Sequence, residues 1–332
     1  MREEQLSGSA RRIYKSLAFN LHEKSCIGKS KQKAKEEAKR KYIEERGNLR
    51  GWNPSKLEGI YSISTMRTYE GQMRPFAQFC TNHGVKRISA ITEAMGEEYL
   101  RWLESEGKSG WTISTAASAI NKAMGWELSP KKLGLKGRKQ KDIKKCREGE
   151  AYTESEYERN KDQITFAKAI GARRSSIFNK KDAEKMVRPD RCVRNDDGVV
   201  VGVWLLEKGG KVRLAPVLNA YRKEVTEIVD RAARERGEDA PMFNSYGGRI
   251  KNHRLRAEYA AKLLHQLEDE RAAGESLFGG EFPLSDYCRL RGKDKKRRKK
   301  TQGHDTDLVA TVSGALGHNR VEVVLRHYMY LY

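Results

Sequence analysis

Val199-Val200-Val201-Gly202-Val203-Trp204-Leu205-Leu206-Glu207, then Lys208-Gly209-Gly210-Lys211, then Val212-Arg213-Leu214-Ala215-Pro216-Val217 separates this chain from an all-helical one. Two runs rich in β-branched residues flank a glycine-bearing turn, which is the pattern of a β-hairpin, with strands near Val199–Leu206 and Val212–Val217. Helical patterns surround it. A stretch from Thr153 to Ile170 precedes it, and His253-Arg254-Leu255-Arg256-Ala257-Glu258-Tyr259-Ala260-Ala261-Lys262-Leu263-Leu264 sets Leu255, Tyr259 and Leu263 along one helical face. Helices packed around one small antiparallel sheet make an α+β domain that is mainly α, and we place it at residues 151–332.

Upstream of the hairpin the pattern is purely helical. Tyr69, Met73, Phe76 and Phe79 recur at helical steps after Ser64; Met95, Tyr99, Trp102 and Leu103 follow the cap signal Ile91-Thr92; Ile113, Ala116, Ala117, Ile120 and Met124 follow Trp111-Thr112. Residues 59–128 therefore read as a small all-α domain. Residues 129–150 carry Lys131-Lys132 and Lys144-Lys145, several glycines and few apolar groups, the composition of a basic interdomain linker, and Lys131 and Lys132 are candidate DNA contacts. Residues 1–58 are a basic extension. The run Lys29–Lys41 in it has helix formers and alternating charge without an apolar stripe, so it reads as a solvated helix or an arm.

Composition narrows the partner. Lys and Arg number 67 against 45 Asp and Glu, a formal charge of +22, which calls for a polyanion, nucleic acid first. An anionic membrane surface would attract such a chain too, but no window approaches the roughly 18 unbroken apolar residues of a spanning helix, and the opening residues lack the apolar core of a secretory signal. Cys26, Cys80, Cys146, Cys192 and Cys288 are scattered without metal-ligand or disulfide spacing, and no phosphate-binding loop or dinucleotide fingerprint is present. These features predict a reduced, cytoplasmic, DNA-associated protein that uses no cofactor and no metal.

In the C-terminal half Arg173, Lys208, His253 with Arg256, His318 and Tyr328 come in one order. Phosphodiester exchange places charge on nonbridging oxygens in its transition state, and cations positioned in advance can stabilise it. Arginine suits this work because its planar fork grips two phosphate oxygens and keeps its charge. His253 and Arg256, three residues apart, project from one helical face toward a common point. Through Ala169-Ile170-Gly171-Ala172-Arg173-Arg174-Ser175, Lys208-Gly209-Gly210-Lys211, His253-Arg254-Leu255-Arg256, and Leu316-Gly317-His318 followed by Tyr328, the sequence resembles the tyrosine recombinase or phage integrase family from about residue 60 to the end.

The resemblance implies a helical core-binding domain before a catalytic domain, and a site-specific recombinase that cuts and rejoins double-stranded DNA at recombination sites through a covalent 3′-phosphotyrosine, without metal or ATP. It implies that Arg173 and Arg256 clamp the phosphate, that His253 and His318 hydrogen-bond it and share proton transfer, that Lys208 protonates the departing 5′ oxygen, and that Tyr328 is the nucleophile. Arg174 is the register alternative to Arg173, and Lys211 to Lys208. The family usually carries an acidic residue three positions after the first arginine, where Ser176 stands here. It also usually places its nucleophile nine residues after the histidine; that position is His327, Tyr328 is the tenth, and Tyr330 is a further candidate. Alternatively Tyr328, Tyr330 and Tyr332 form a packing stripe.

Cys288-Arg289-Leu290-Arg291 competes with the Leu255-Arg256 element, but no apolar residue follows Leu290 before Leu308, so no buried helix would place its arginine. Residues 265–303 then read as an insertion. Within it Arg289, Arg291, Lys293, Lys295, Lys296, Arg297, Arg298, Lys299 and Lys300 crowd into twelve residues, a density that favours phosphate contact over free solvation. The resemblance also implies a homo-oligomer on DNA, a tetramer across two sites. Few residues follow Tyr328, so Arg289–Lys300 or the N-terminal arm is expected to supply the subunit contact. A type IB topoisomerase-like enzyme and a DNA-binding relative without catalysis are the rival readings.

Overall fold

The computed structural model describes residues 6–53, 57–139, 149–207, 211–280, 304–318 and 321–331, in two compact units, Met1–Asp142 and Ile143–Tyr332.

In the N-terminal unit α1 (Gly8–Glu23) starts at Ser7, whose hydroxyl accepts from the Ala10 amide. Ala10, Ile13, Tyr14, Leu17 and Leu21 recur at three- and four-residue steps and are buried, so α1 packs into the core instead of standing free. This departs from the reading of residues 1–58 as an extension; its apolar stripe lies just ahead of the lysine run that dominated the pattern. The lysine run itself forms α2 (Lys31–Arg46), which buries none of its residues and carries the i,i+4 ion pairs Lys41–Glu37 and Arg40–Glu44. Helices α3 (Ile63–Asn82), α4 (Glu93–Ser105) and α5 (Gly110–Met124) begin at Ser62, Thr92 and Ser109, each hydroxyl accepting from a first-turn amide. They bury Met73, Phe76, Phe79, Tyr99, Leu100, Ile113 and Ile120 in one core with α1.

Part of the expected linker belongs to this unit. Leu128 and Leu135 are buried, Arg101 Nη1 donates to the Leu133 carbonyl at 3.2 Å, and Glu104 Oε1 accepts from the Lys136 amide at 2.6 Å. Lys131 and Lys132 stay exposed. Three leucines spaced among lysines gave too weak an apolar pattern to read as packed.

In the C-terminal unit the stretch expected as one helix from Thr153 to Ile170 is two, α6 (Glu154–Arg159) and α7 (Lys161–Ile170). Thr153 and Glu156 form a reciprocal capping box at the start of α6. Asn160 separates the two helices; its Nδ2 donates to the Glu156 carbonyl and its Oδ1 accepts from the Gly247 amide, both at 2.9 Å. A short turn, α8 (Arg174–Ile177), leads to a three-stranded antiparallel sheet in the order β1-β2-β3, made of β1 (Cys192–Arg194), β2 (Val200–Glu207) and β3 (Lys211–Pro216). The hairpin register pairs Glu207 with Lys211 and Leu205 with Arg213. Only β1 lacks a counterpart in the sequence reading, because three residues are too few to show an alternation.

Helix α9 (Arg222–Arg236) covers part of the sheet, and α10 (Asn252–Ala272) runs through the middle of the unit with Leu255, Tyr259, Leu263, Leu264 and Leu267 buried. Residues 265–272, expected in the insertion, continue α10. Phe278 is buried beyond its end, and its amide donates to Glu270 at 2.8 Å. Arg289, Arg291 and Lys295–Lys300 lie outside the described residues. Two helices, α11 (Thr306–Ala315) and α12 (Val321–His327), complete a fold that is mainly α with one small sheet.

Candidate active site

The centre of the C-terminal unit is charged where most cores are apolar. Arg256 projects from the first turns of α10, fixed by its buried neighbours Leu255 and Tyr259, and is itself only 1% exposed. Its Nη1 donates to the Gly171 carbonyl, its Nη2 to the Leu316 carbonyl, and its Nε to the Tyr328 hydroxyl at 3.3 Å. The guanidinium also lies over the Tyr328 ring, 5.6 Å from its centroid.

Gly171 makes the approach possible. It ends α7 with φ +56°, and a Cβ there would run into the Tyr259 ring. The turn it allows sends Arg173 out in extended backbone toward the same point, while Asn252 Nδ2 holds the Ala172 carbonyl at 2.7 Å. Arg173 pairs with Glu207, and its side chain keeps 32% exposure, so it is not fully enclosed. Burial, then the Arg256 and Arg213 charges, push its pKa down to about 10, opposed by Tyr328; it is charged at neutral pH. Arg174 turns elsewhere: its Nη2 donates to the Tyr246 and Gly247 carbonyls at 2.7 and 2.9 Å, and its guanidinium stacks 4.7 Å from the Tyr246 ring centroid.

At the C-terminal end of α11 the His318 amide donates to the Ser313 carbonyl at 2.8 Å, a tight close that Gly317 permits with φ +70°. This aims His318 Nε2 at the Tyr328 hydroxyl, 3.2 Å away, with the ring centroids 5.4 Å apart. Val321 and Val324 anchor α12 in the core, and the Tyr328 amide donates to the Val324 carbonyl at 2.9 Å. Tyr328 is 5% exposed and His327 is exposed, so the tenth residue after His318 is the one that faces inward. His253, on the first turn of α10, has an exposed side chain whose pKa is held below its ordinary value by partial burial and then by Arg256, Arg173 and His327.

Arg173, Arg256, His318 and Tyr328 are thus brought together, and His253 lies within their field. Lys208 lies outside the described residues. Lys211 is placed in β3 by its backbone, and Tyr330 in a short 3-10 turn, Met329–Leu331. Two residues that the sequence reading passed over join the site. Glu207, with a side chain 0% exposed, contacts Arg173, Arg213 Nη2 at 3.2 Å and Arg256 Nη1 at 3.8 Å. Arg213 adds bonds to the Ala315 carbonyl and, at 3.4 Å, to the Gly171 carbonyl. A signal existed: on the alternation of β2 and β3, residues 203, 205, 207, 213 and 215 share the buried face, and Glu207 and Arg213 are its charged members.

Three guanidiniums against one carboxylate leave an excess of positive charge beside a buried phenol. Such an arrangement can hold an anion. Among the described residues no group of three or more His, Cys, Asp or Glu side chains could hold a metal ion, and no helix is long and apolar enough to cross a membrane.

Comparison with known proteins finds the resemblance in the N-terminal unit: residues 56–127 match the family described as phage integrase, N-terminal SAM-like domain. No curated protein matches the chain. Among solved structures it is similar to a variant of the Tn1549 transposon integrase in complex with transposon right end DNA, at 16% identity, 88% of this chain, 93% of that chain and a TM-score of 0.37. A second is the same integrase in complex with circular intermediate DNA, at 15% identity, 88% and 94% coverage and a TM-score of 0.31.

Proposed function

We propose that this chain, which carries a phage integrase N-terminal SAM-like domain, is a site-specific DNA recombinase that exchanges strands through a phosphotyrosine. One observation carries the reading: the Tyr328 hydroxyl lies 3.3 Å from Arg256 Nε and 3.2 Å from His318 Nε2, beside Arg173. Residues 155 positions apart in the chain converge there, from Arg173 to Tyr328. The one-residue register shift supports no loss of catalysis, because the shifted tyrosine is the one that reaches the arginine.

The scissile phosphate enters beside Arg173 and Arg256, whose charges neutralise its nonbridging oxygens. Tyr328 Oη attacks phosphorus, forming the tyrosyl ester as the bond to the 5′ oxygen breaks. The phenolic proton passes to a site imidazole, His318 Nε2 being at hydrogen-bond distance. The 5′ oxygen leaves with a proton from Lys208. A 5′ hydroxyl from a second duplex then reverses these steps, restoring the phosphodiester and the free tyrosine with no external energy source. Exposed Lys131 and Lys132, together with Lys211 and the Arg289–Lys300 run, serve duplex phosphates, while Arg174, held by the Tyr246 and Gly247 carbonyls, does not, and two sites held by a homotetramer give the exchange its partner.

The test uses nicked duplexes of randomised sequence, from which the wild-type chain is expected to trap a covalent protein–DNA adduct. Tyr328→Phe should trap none while still binding the selected duplex. An adduct formed by Tyr328→Phe moves the nucleophile to another residue, and a wild-type chain that binds DNA yet traps no adduct removes the strand-transfer reading. A paired-site synapsis assay on the selected duplex separates recombination from simple relaxation.

A further inference from the structure

We propose that Glu207 and Arg213 form a buried ion pair that positions Arg173 for phosphate capture, the orienting part that falls to neither Arg173's own turn nor Ser176. The proposal rests on the strand-transfer reading for its chemistry, and the geometry stands apart from it.

Glu207 ends β2 on the buried face with a side chain 0% exposed, whereas Arg173 keeps 32%. The fully buried carboxylate therefore meets Arg173 from the protein interior, and the arginine keeps part of its surface toward solvent. A carboxylate removed from water is costly unless cations meet it; here Arg173, Arg213 and Arg256 all do. Arg213 sits diagonally across the hairpin on the same face, since Glu207 pairs with Lys211 and Arg213 with Leu205. It bonds Glu207, the Gly171 carbonyl just before Arg173, and the Ala315 carbonyl just before the His318 turn. One pair thus ties the hairpin to the turns that carry Arg173 and His318.

Packing leaves no slack around the pair. A Cβ at Gly317 would stand 2.8 Å from Arg213 Cδ and 3.0 Å from Glu207 Oε2. Ser176, three residues after Arg173, is buried, and its hydroxyl has no hydrogen-bond partner among the described residues, so its side chain does not hold the Arg173 guanidinium. Without Glu207 three guanidiniums would face one another, and the partly exposed Arg173 is the one free to swing out. Glu207 and Arg213 touch no substrate in this account; they act through Arg173.

Two measurements on the full chain test this. Side-chain nitrogen NMR of the free protein should resolve separate Nη1 and Nη2 signals for Arg173, assigned by their loss in Arg173→Lys, and these should coalesce in Glu207→Gln. With the duplex selected by the wild-type chain, Glu207→Gln should bind within about threefold of wild type while its single-turnover adduct rate falls about 10- to 100-fold. Placed on Arg173→Ala, Glu207→Gln should change the rate by less than about twofold.

Because Glu207→Gln leaves a surplus buried charge and can unfold the unit, the double variant Glu207→Gln/Arg213→Gln removes one charge of each sign, and it should fold and show the same coalescence and rate loss. A rate penalty that persists in full on Arg173→Ala overturns the proposal, as do separate Nη signals in both the single and the double variant. The NMR arm needs no DNA, so a wild-type chain that traps no adduct sinks the strand-transfer reading alone, while coalescence still decides the positioning.

Discussion

Tyr99 in the N-terminal unit and Tyr328 in the C-terminal unit are both buried, at 0% and 5% exposure, and their hydroxyls meet opposite surroundings. Tyr99 packs among Phe76, Phe79 and Trp102 at centroid distances of 5.1, 5.2 and 5.6 Å, and its hydroxyl has no hydrogen-bond partner among the described residues. Burial there raises its pKa, since nothing nearby repays the loss of water for a phenolate. Tyr328 is held between a guanidinium and an imidazole. The surroundings of Tyr99 are apolar, whereas Tyr328 lies where an otherwise apolar core encloses three guanidiniums, one carboxylate and an imidazole.

That contrast breaks or sharpens under substitution. Phe76→Ala should cost about 3 to 5 kcal/mol, the usual penalty for emptying a buried aromatic site, in the melting transition of the N-terminal unit alone. A single transition in which both units shift together would break the picture of two separate cores. Arg256→Gln should lower adduct formation about 100- to 1000-fold, roughly 3 to 4 kcal/mol of transition-state stabilisation, in a rapid-quench assay; a loss under tenfold would mean that the guanidinium serves packing more than chemistry.

Tyr99→Phe should lie within about 1 kcal/mol of wild type in urea melts, on the stabilising side, because it deletes an unpaired buried hydroxyl, whereas the same exchange at 328 removes the adduct. The smallest effect concerns pH. His253 has a folded pKa below its unfolded value, so below pH about 6.5 the unfolded chain takes up a proton that the folded chain resists, and stability falls with acidity. His253→Gln should flatten this slope between pH 7.5 and 5.5 by on the order of a few tenths of a kcal/mol, as expected for a solvent-screened group. An unchanged slope would place His253 outside the cationic field.

Much of the architecture was legible because period and caps are local. Thr92 and the spacing of Met95, Tyr99, Trp102 and Leu103 mark α4 from sequence, although Trp102 stays partly exposed, and the hairpin strands show in their β-branched runs. Helix α1 does not stand out in the sequence because its stripe of Ile13, Tyr14, Leu17 and Leu21 lies just ahead of a helix of the same length that is dense in lysine. The break at Asn160 is not visible in the sequence, because one of the two hydrogen bonds that hold its side chain comes from Gly247, which is remote in the chain. At the site, Arg173, Arg256, His318 and Tyr328 were readable as an ordered set of residue types. Glu207 and Arg213 were visible only as charges on a buried strand face.

From composition and pattern came a basic, mostly helical chain with one hairpin and a preference for polyanions, and the resemblance to the tyrosine recombinase family added the order of the candidate reactive residues. Tertiary structure alone decided that the tenth residue after His318, not the ninth, faces Arg256, that Arg174 turns away to Tyr246, and that Glu207 stands behind three arginines. The reason is physical: helix and strand periods are set by neighbours in sequence, whereas the direction of a guanidinium and the burial of a carboxylate depend on carbonyls and charges delivered by segments far apart in the chain.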